Sequence, residues 1–304
     1  MTTSLACPRA LTRRGGLELS RIVAGMWRLG QWDMSVQQRI AFIEECLALG
    51  VTSFDHADIY GNYGVEGLFG EALRARPGLR ERMEIVSKCG IKLVSPQRPA
   101  HTIQHYDTSL NHIVASCEAS LRQLGTDYLD LLLIHRPDPL MDFDEVAEAF
   151  TRLQAAGKVR HVGVSNFTRH QFEALNRRVA LATNQVEFSP LTTAPMFDAT
   201  FDGLQDLGIS PMTWSPFGGG RLFSADDAAS VRLRATIQEV ADRLGQSFSS
   251  VVFAWIMMLP SRPLPLTGSG KIASIAAAVA ATTFTLERSD WFAILRAARG
   301  HEVA

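Results

Sequence analysis

The sequence predicts one (β/α)8 barrel over residues 1–304, with a short β-hairpin ahead of its first barrel strand. Three observations carry that expectation. Eight short apolar runs of β type alternate with segments of helical periodicity, the pattern of βαβ units in a parallel sheet. The first run ends in GMWRLG and not in the GxGxxG that opens a doubly wound nucleotide domain. No Pro/Ser/Gly-rich linker divides the chain into halves.

Taken in order, a turn at Arg14–Gly16 joins the hairpin arms across Leu11–Leu19. The barrel strands are then expected at Arg21–Gly25, Val51–Phe54, Glu84–Lys88, Leu129–His135, Val159–Ser165, Leu181–Glu187, Ile209–Trp214 and Leu264–Thr267. Amphipathic helices are expected between them, among them Val36–Leu49, Ser109–Leu124, Asp144–Ala156 and Arg169–Asn176. Gly50, Gly125, Gly157 and Gly208 follow helical patterns as C-terminal caps. Two strand-to-strand intervals are long, with the excess after the strand in Ile91–Asp107 and Phe217–Asp227. Loops of that kind belong to the face where barrel enzymes build their sites. Together with the tail after Arg288, they are expected to shape a substrate pocket.

Composition narrows the function. Thirty basic residues face 31 acidic ones, a net charge of −1, and aromatic residues are 8% of the chain. The electrostatic footprint of a dedicated nucleic-acid binder is absent. With 46% hydrophobic and 20% charged residues the chain has the material for a large core. Cys7, Cys46, Cys89 and Cys117 show neither CxxC nor zinc spacing, so free thiols in a reducing compartment, and no metal, are expected. The first residues lack an apolar signal region, and Val251–Leu259 is about half the length of a membrane span. A cytoplasmic protein without a membrane segment or an obligate protein partner is the expectation.

In such a barrel the residues that end the apolar runs converge on one mouth: Asp55, Lys88, His135, Ser165, Asn166, Gln185, Trp214, Ser215 and Thr267. Tyr60 follows five residues after Asp55. An unperturbed tyrosine has a pKa near 10, and a buried ammonium beside it is expected to lower that value. A carboxylate offsets the desolvation of the ammonium, and a histidine across the pocket can orient a substrate oxygen. Asp55, Tyr60, Lys88 and His135 thus make a proton donor beside a carbonyl. His56, His161 and the four cysteines read as packing residues.

FDHADIYG, SKCG, DYLDLLLIHRPD, GVSNF, NQVEFSP and WSPFGGG resemble, in order and spacing, the aldo-keto reductase family, closest to bacterial putative oxidoreductases with a tail reading LPLTGSGKI. The resemblance runs from about Ile22 to Trp291. It implies that Tyr60 is the general acid/base, tuned by Lys88 and Asp55, and that His135 orients the carbonyl. It implies a nicotinamide cofactor, NADP(H) before NAD(H), lying across the C-terminal mouth. Ser165, Asn166 and Gln185 would hold the carboxamide, and Trp214 would stack on the nicotinamide. Gly25, Met26 and Trp27 would approach the cofactor, although Trp27 reads equally as a wall of the substrate pocket. Ser215, Pro216, Phe217, Gly218, Gly219, Gly220, Arg221 and Leu222 would wrap the pyrophosphate with backbone N–H groups. Gly268, Ser269 and Lys271 would meet the 2′-phosphate at a helix N-terminus. An arginine and a Glu/Asn pair common beyond this segment are replaced by Ser274 and alanines, which leaves Ser269 and Lys271 as the main candidates for the 2′-phosphate. The implied activity is reduction of a small aldehyde or ketone to an alcohol. A cofactor-binding regulatory subunit on the same barrel is the alternative.

Overall fold

A computed structural model of the chain describes residues 5–302. The hairpin strands are β1 (Arg9–Leu11) and β2 (Glu18–Ser20), antiparallel. Eight parallel strands follow: β3 (Val23–Gly25), β4 (Ser53–Asp55), β5 (Glu84–Cys89), β8 (Leu129–Ile134), β9 (Val159–Ser165), β10 (Leu181–Glu187), β11 (Met212–Trp214) and β12 (Leu264–Thr267). They pair in chain order, and β12 closes on β3. A two-stranded ribbon, β6 (Ile91–Lys92) with β7 (His105–Tyr106), lies in the first long loop. The helices are α1 (Val36–Ala48), the short α2 (Tyr60–Tyr63), α3 (Val65–Ala75), α4 (Leu110–Leu124), α5 (Phe143–Ala155), α6 (Arg169–Asn176) and α7 (Thr200–Asp206). Four-residue α8 (Arg221–Ser224), α9 (Ala228–Leu244), α10 (Phe248–Met257), α11 (Ile272–Ala280) and α12 (Arg288–Arg299) complete the chain. The expected barrel and its hairpin are both present.

Period-two alternation divides each strand between two cores. Val23, Val86, Leu131, Leu133, Met212, Leu264 and Leu266 point inward and fill the barrel. Leu17 and Leu19 of the hairpin join that same cluster and seal the end opposite the long loops. Outward residues such as Phe54, Ile85, Leu132, Ile134 and Val164 pack under the helices. At Gly163 on β9 a Cβ would sit 2.8 Å from both Leu133 Cδ2 and Thr183 O, so the barrel closes there only over a glycine.

Helix boundaries follow local chemistry. Ser35 with Gln38 and Thr168 with Gln171 form reciprocal capping boxes for α1 and α6. The four glycines expected at helix ends take φ between 64° and 74°, the left-handed region that favours glycine. Five strands differ in their limits: β5 runs one residue further, to Cys89, and β8 ends one residue earlier, at Ile134, so that His135 follows the strand. β3 starts at Val23 because the backbone N–H groups of Arg21 and Ile22 are taken by the Pro8 carbonyl and Cys7 Sγ. β4 covers Ser53–Asp55, so Asp55 belongs to the strand. β11 starts after Pro211, while Ile209 and Ser210 pair with the hairpin through Arg13 and Thr12.

The tail is a further correction. α12 packs on α9 and α10, where Trp255 and Trp291 stack at 5.2 Å and each indole N–H donates to the other's carbonyl. Among the described residues, none beyond Ser274 lines the large cavity at the barrel mouth.

A polar layer lies between the barrel wall and its helices. Ser87 Oγ donates to Glu66 at 2.5 Å and Ser116 Oγ to Asp58 at 2.6 Å. Burial pushes both carboxyls up to about 7. The unfolded chain ionises them near 4. Their contribution to stability is therefore full below about pH 4, declines as pH rises, and is lost above about 7. Each is worth on the order of 3 kcal/mol across that window. Glu66→Gln is expected to flatten the fall in Tm between pH 4 and 8, measured by thermal unfolding. A variant that declines as steeply as the parent would show that Glu66 is ionised in the fold.

Candidate active site

The site is the next inward layer above the apolar filling of the barrel. On β5, Lys88 follows inward Val86 by two residues; beyond β8, His135 follows Leu133; on β11, Trp214 follows Met212. Asp55 and Ser165 end β4 and β9 in the same manner, and Gln185 lies on β10 two residues before its end at Glu187. The alternation that packs the barrel thus also aims these side chains at one mouth.

Lys88 is 1% exposed, and an ammonium there needs acceptors for all three N–H groups. It donates to Asp55 Oδ2 at 2.7 Å, the His56 carbonyl at 2.8 Å and the Tyr60 hydroxyl oxygen at 3.0 Å. Since the Tyr60 oxygen accepts from Lys88, its own hydrogen is left for the cavity. The network continues through Gln185, whose Nε2 donates to Asp55 Oδ1 at 2.7 Å. Ser165 Oγ donates to the Gln185 carbonyl, and Asn166 Nδ2 to Ser165 Oγ and the His135 carbonyl. Trp214 Nε1 donates to Asn166 Oδ1 at 3.2 Å. Asn166 has φ 62°, a conformation asparagine tolerates better than most residues.

Electrostatics follow from burial around one cation. Burial and then Lys88 push His135 well below the usual histidine range, and the same two causes push His56 to about 3. Both rings are neutral. His56 packs edge-on against Phe69 at 4.5 Å. Burial alone would discharge Lys88, but Asp55 and Tyr60 outweigh it and hold its pKa above the ordinary lysine value. Tyr60 corrects the expectation of a lowered pKa: burial raises it, Lys88 pulls it down, Asp55 opposes Lys88, and the net direction is up. The hydroxyl is kept as an acid.

A cavity of about 930 Å³ opens over this floor. It brings together Gly25, Trp27, Asp55, Tyr60, His135, Ser165, Asn166, Gln185, Trp214, Ser215, Pro216, Phe217, Gly219, Gly220, Gly268, Ser269 and Lys271. Lys88 lies beneath the surface, behind Tyr60 and Asp55. Four expected cofactor residues do not line the cavity. Met26 and Leu222 are buried in the core, Arg221 turns to Asp227, and Gly218 packs beside Leu191. Backbone N–H groups of Gly218, Gly220, Arg221 and Leu222 bond within the turn. Within 218–222 these bonds leave over the Gly219 N–H, so most N–H groups of that stretch serve the turn itself.

The cavity fits an extended dinucleotide. It runs from the Tyr60 floor past Trp214 to the N-terminus of α11, where Lys271 is the N-cap residue. A Cβ at Gly219, Gly220 or Gly268 would meet nothing within 4 Å, so these positions border open space. Leu93, from the long loop expected to shape the pocket, lines the cavity, and so do Arg28, Trp32, Met34 and Arg136, to which no sequence expectation pointed. Arg136 carried a readable signal, a charge directly after a strand-end histidine. Trp32 and Met34 carried none, because their loop folds over the mouth only in three dimensions.

Comparison with known proteins agrees with the geometry. Residues 21–299 match the model of the aldo/keto reductase family. The chain is 55% identical to oxidoreductase YdhF of Escherichia coli (strain K12), over 95% of this chain and 96% of the relative. It is 44% identical to the 6-dehydroglucose reductase of Agrobacterium fabrum, over 95% and 97%. The crystal structure of a thermostable aldo-keto reductase, Tm1743, in complex with the inhibitor epalrestat superposes with a TM-score of 0.80 at 23% identity, covering 95% of this chain and 99% of that one; at that identity it speaks for the fold. Barrel, strand-end network and near-full-length relatives converge: the chain belongs to the aldo-keto reductase family.

Proposed function

We propose that the protein reduces an aldehyde or ketone to an alcohol with a nicotinamide cofactor, NADP(H) in preference to NAD(H). The observation that carries this reading is the Tyr60 hydroxyl, 3.0 Å from a fully engaged Lys88 and facing the cavity. When bound, the cofactor supplies the hydride that the carbonyl carbon accepts. Tyr60 donates its proton to the carbonyl oxygen as negative charge gathers there. The phenolate left behind faces the Lys88 ammonium, whose position Asp55 fixes, and takes its proton back from water through the mouth. Neutral His135, its ring 5.9 Å from that of Tyr60, orients the oxygen without adding charge. Ser165, Asn166 and Gln185 would hold the carboxamide end and Trp214 its ring. The 215–222 loop would follow the pyrophosphate, with Ser269 and Lys271 at the 2′-phosphate. A 6-dehydroglucose reductase among the relatives favours a small polar aldehyde as the substrate.

Tyr60→Phe removes one hydroxyl, and carbonyl reduction followed by cofactor absorbance should fall about 10²–10⁴-fold with little change in cofactor Kd. Lys88→Met should be comparably damaging, and the double variant little worse, since the two residues act as one unit. Near-parental turnover by Tyr60→Phe would end the assignment, and cofactor binding with no turnover of any carbonyl would favour a regulatory role.

His135 is neutral and stays so as pH falls from 8 through its ordinary pKa of about 6.5, so reduction should show no inflection there. A loss of turnover centred near that value, abolished in His135→Asn, would mean that the ring titrates.

Lys271→Ala should weaken NADPH more than NADH by about 1.5–3 kcal/mol, one charge-assisted phosphate contact. Tryptophan-fluorescence titration of each cofactor measures this. Equal weakening would remove Lys271 from 2′-phosphate recognition.

A further inference from the structure

Arg136 follows His135 directly and lines the cavity. Its guanidinium lies 5.6 Å from the Trp214 ring and is half-buried. Among the described residues it makes no ion pair and donates no hydrogen bond, although a guanidinium carries five N–H donors. Such a group at a half-buried position is ordinarily matched by a carboxylate or by carbonyls. Elsewhere in this fold that rule holds: Arg80 is spent on Asp130, Thr126 and two carbonyls, and Arg39 on Glu71 and a carbonyl. Glu187 feels the charge of Arg136 but forms no ion pair with it.

The charge is placed where a substrate would be. It acts on both Tyr60 and His135, the two groups proposed to meet the carbonyl oxygen. The other cavity cations lie elsewhere. Arg28 sits against Trp27 and the Gly219 carbonyl, and Lys271 begins α11. The acid nearest the reaction centre, Asp55, is already neutralised by Lys88. Beside Tyr60 and His135 the cavity therefore carries a guanidinium without an ion-pair partner among the described residues.

We infer that Arg136 is a specificity-determining residue that takes a carboxylate on the substrate, so that the enzyme favours carbonyl compounds carrying an acid group near the aldehyde or ketone. The inference rests on the proposed reductase activity. A planar carboxylate can accept two parallel N–H bonds from a guanidinium, which would fix the distance from the acid group to Tyr60. Trp214 backs the guanidinium and limits its rotation.

The test compares 4-carboxybenzaldehyde with 4-carbamoylbenzaldehyde, near-isosteric and differing in charge, in the parent, Arg136→Gln and Arg136→Lys. The ratio of kcat/KM for the acid over the amide should fall about 10–100-fold in Arg136→Gln, the weight of a charge-assisted contact. Arg136→Lys should restore part of it. Calorimetric titration of benzoate and benzamide into the cofactor-loaded protein should show the same loss for benzoate alone. An unchanged acid-to-amide ratio in Arg136→Gln would overturn the inference while turnover of both aldehydes left the reductase reading standing. Turnover of neither aldehyde would count against the reductase reading, and benzoate binding would then decide Arg136 by itself: equal affinity in the parent and Arg136→Gln overturns it.

Discussion

The buried Lys88–Asp55 pair is the interaction on which the site is built. Its side chains are 1% and 2% exposed with 2.7 Å between charges, so neither can be satisfied by solvent. Removing one partner of such a pair costs about 3–5 kcal/mol, since the other is left buried and unmatched. The pair therefore holds the ends of β4 and β5 in one relative position. Everything polar at the mouth is arranged about it: the His56 carbonyl and Tyr60 oxygen complete the ammonium, and Gln185 completes the carboxylate. Through Gln185 and Ser165 the constraint reaches the far side of the barrel.

The same pair enters the electrostatics of the site. Burial first, and then the positive charge at the floor, pushes His56 and His135 below the usual histidine range. Tyr60 is held as an acid by burial and Asp55, against the pull of Lys88. In the proposed reduction the ammonium is of most value after the proton has left, when it would face a phenolate in place of a neutral hydroxyl. Such preorganisation favours the charge distribution of the reacting state over that of the resting one.

Much of this was legible in the sequence, and the rest was not for identifiable reasons. Short apolar runs alternating with helical segments specified the barrel, and period two along each strand put Asp55, Lys88, His135 and Trp214 at one mouth. Strand limits shifted where partners outside the barrel took the backbone groups, as at Arg21 and Ile209. The direction of the Tyr60 shift was not readable, because it is a contest between burial and two opposite charges. Whether backbone N–H groups in 218–222 are free depends on turn geometry, which three consecutive glycines do not determine. The tail after Arg288 looked able to reach the pocket, yet indole stacking between Trp255 and Trp291 fixes it on the outer helices.

The residues just after Tyr60 bear on how such a protein could diversify. Gly61, Asn62 and Tyr63 have φ of 55°, 55° and 69°, a left-handed turn that is costly outside glycine. It directs the Tyr63 hydroxyl to accept the Leu93 N–H at 2.7 Å. Leu93 is a cavity wall in the first long loop. The segment carrying Tyr60 and the loop that walls the cavity at Leu93 are therefore one mechanical unit. Lineages that exchanged the loop would inherit a displaced Tyr60 unless the tether was rebuilt, so modular swapping is restricted on this side of the mouth. The 215–222 side has no such link to Tyr60 among the described residues and is the freer ground for drift.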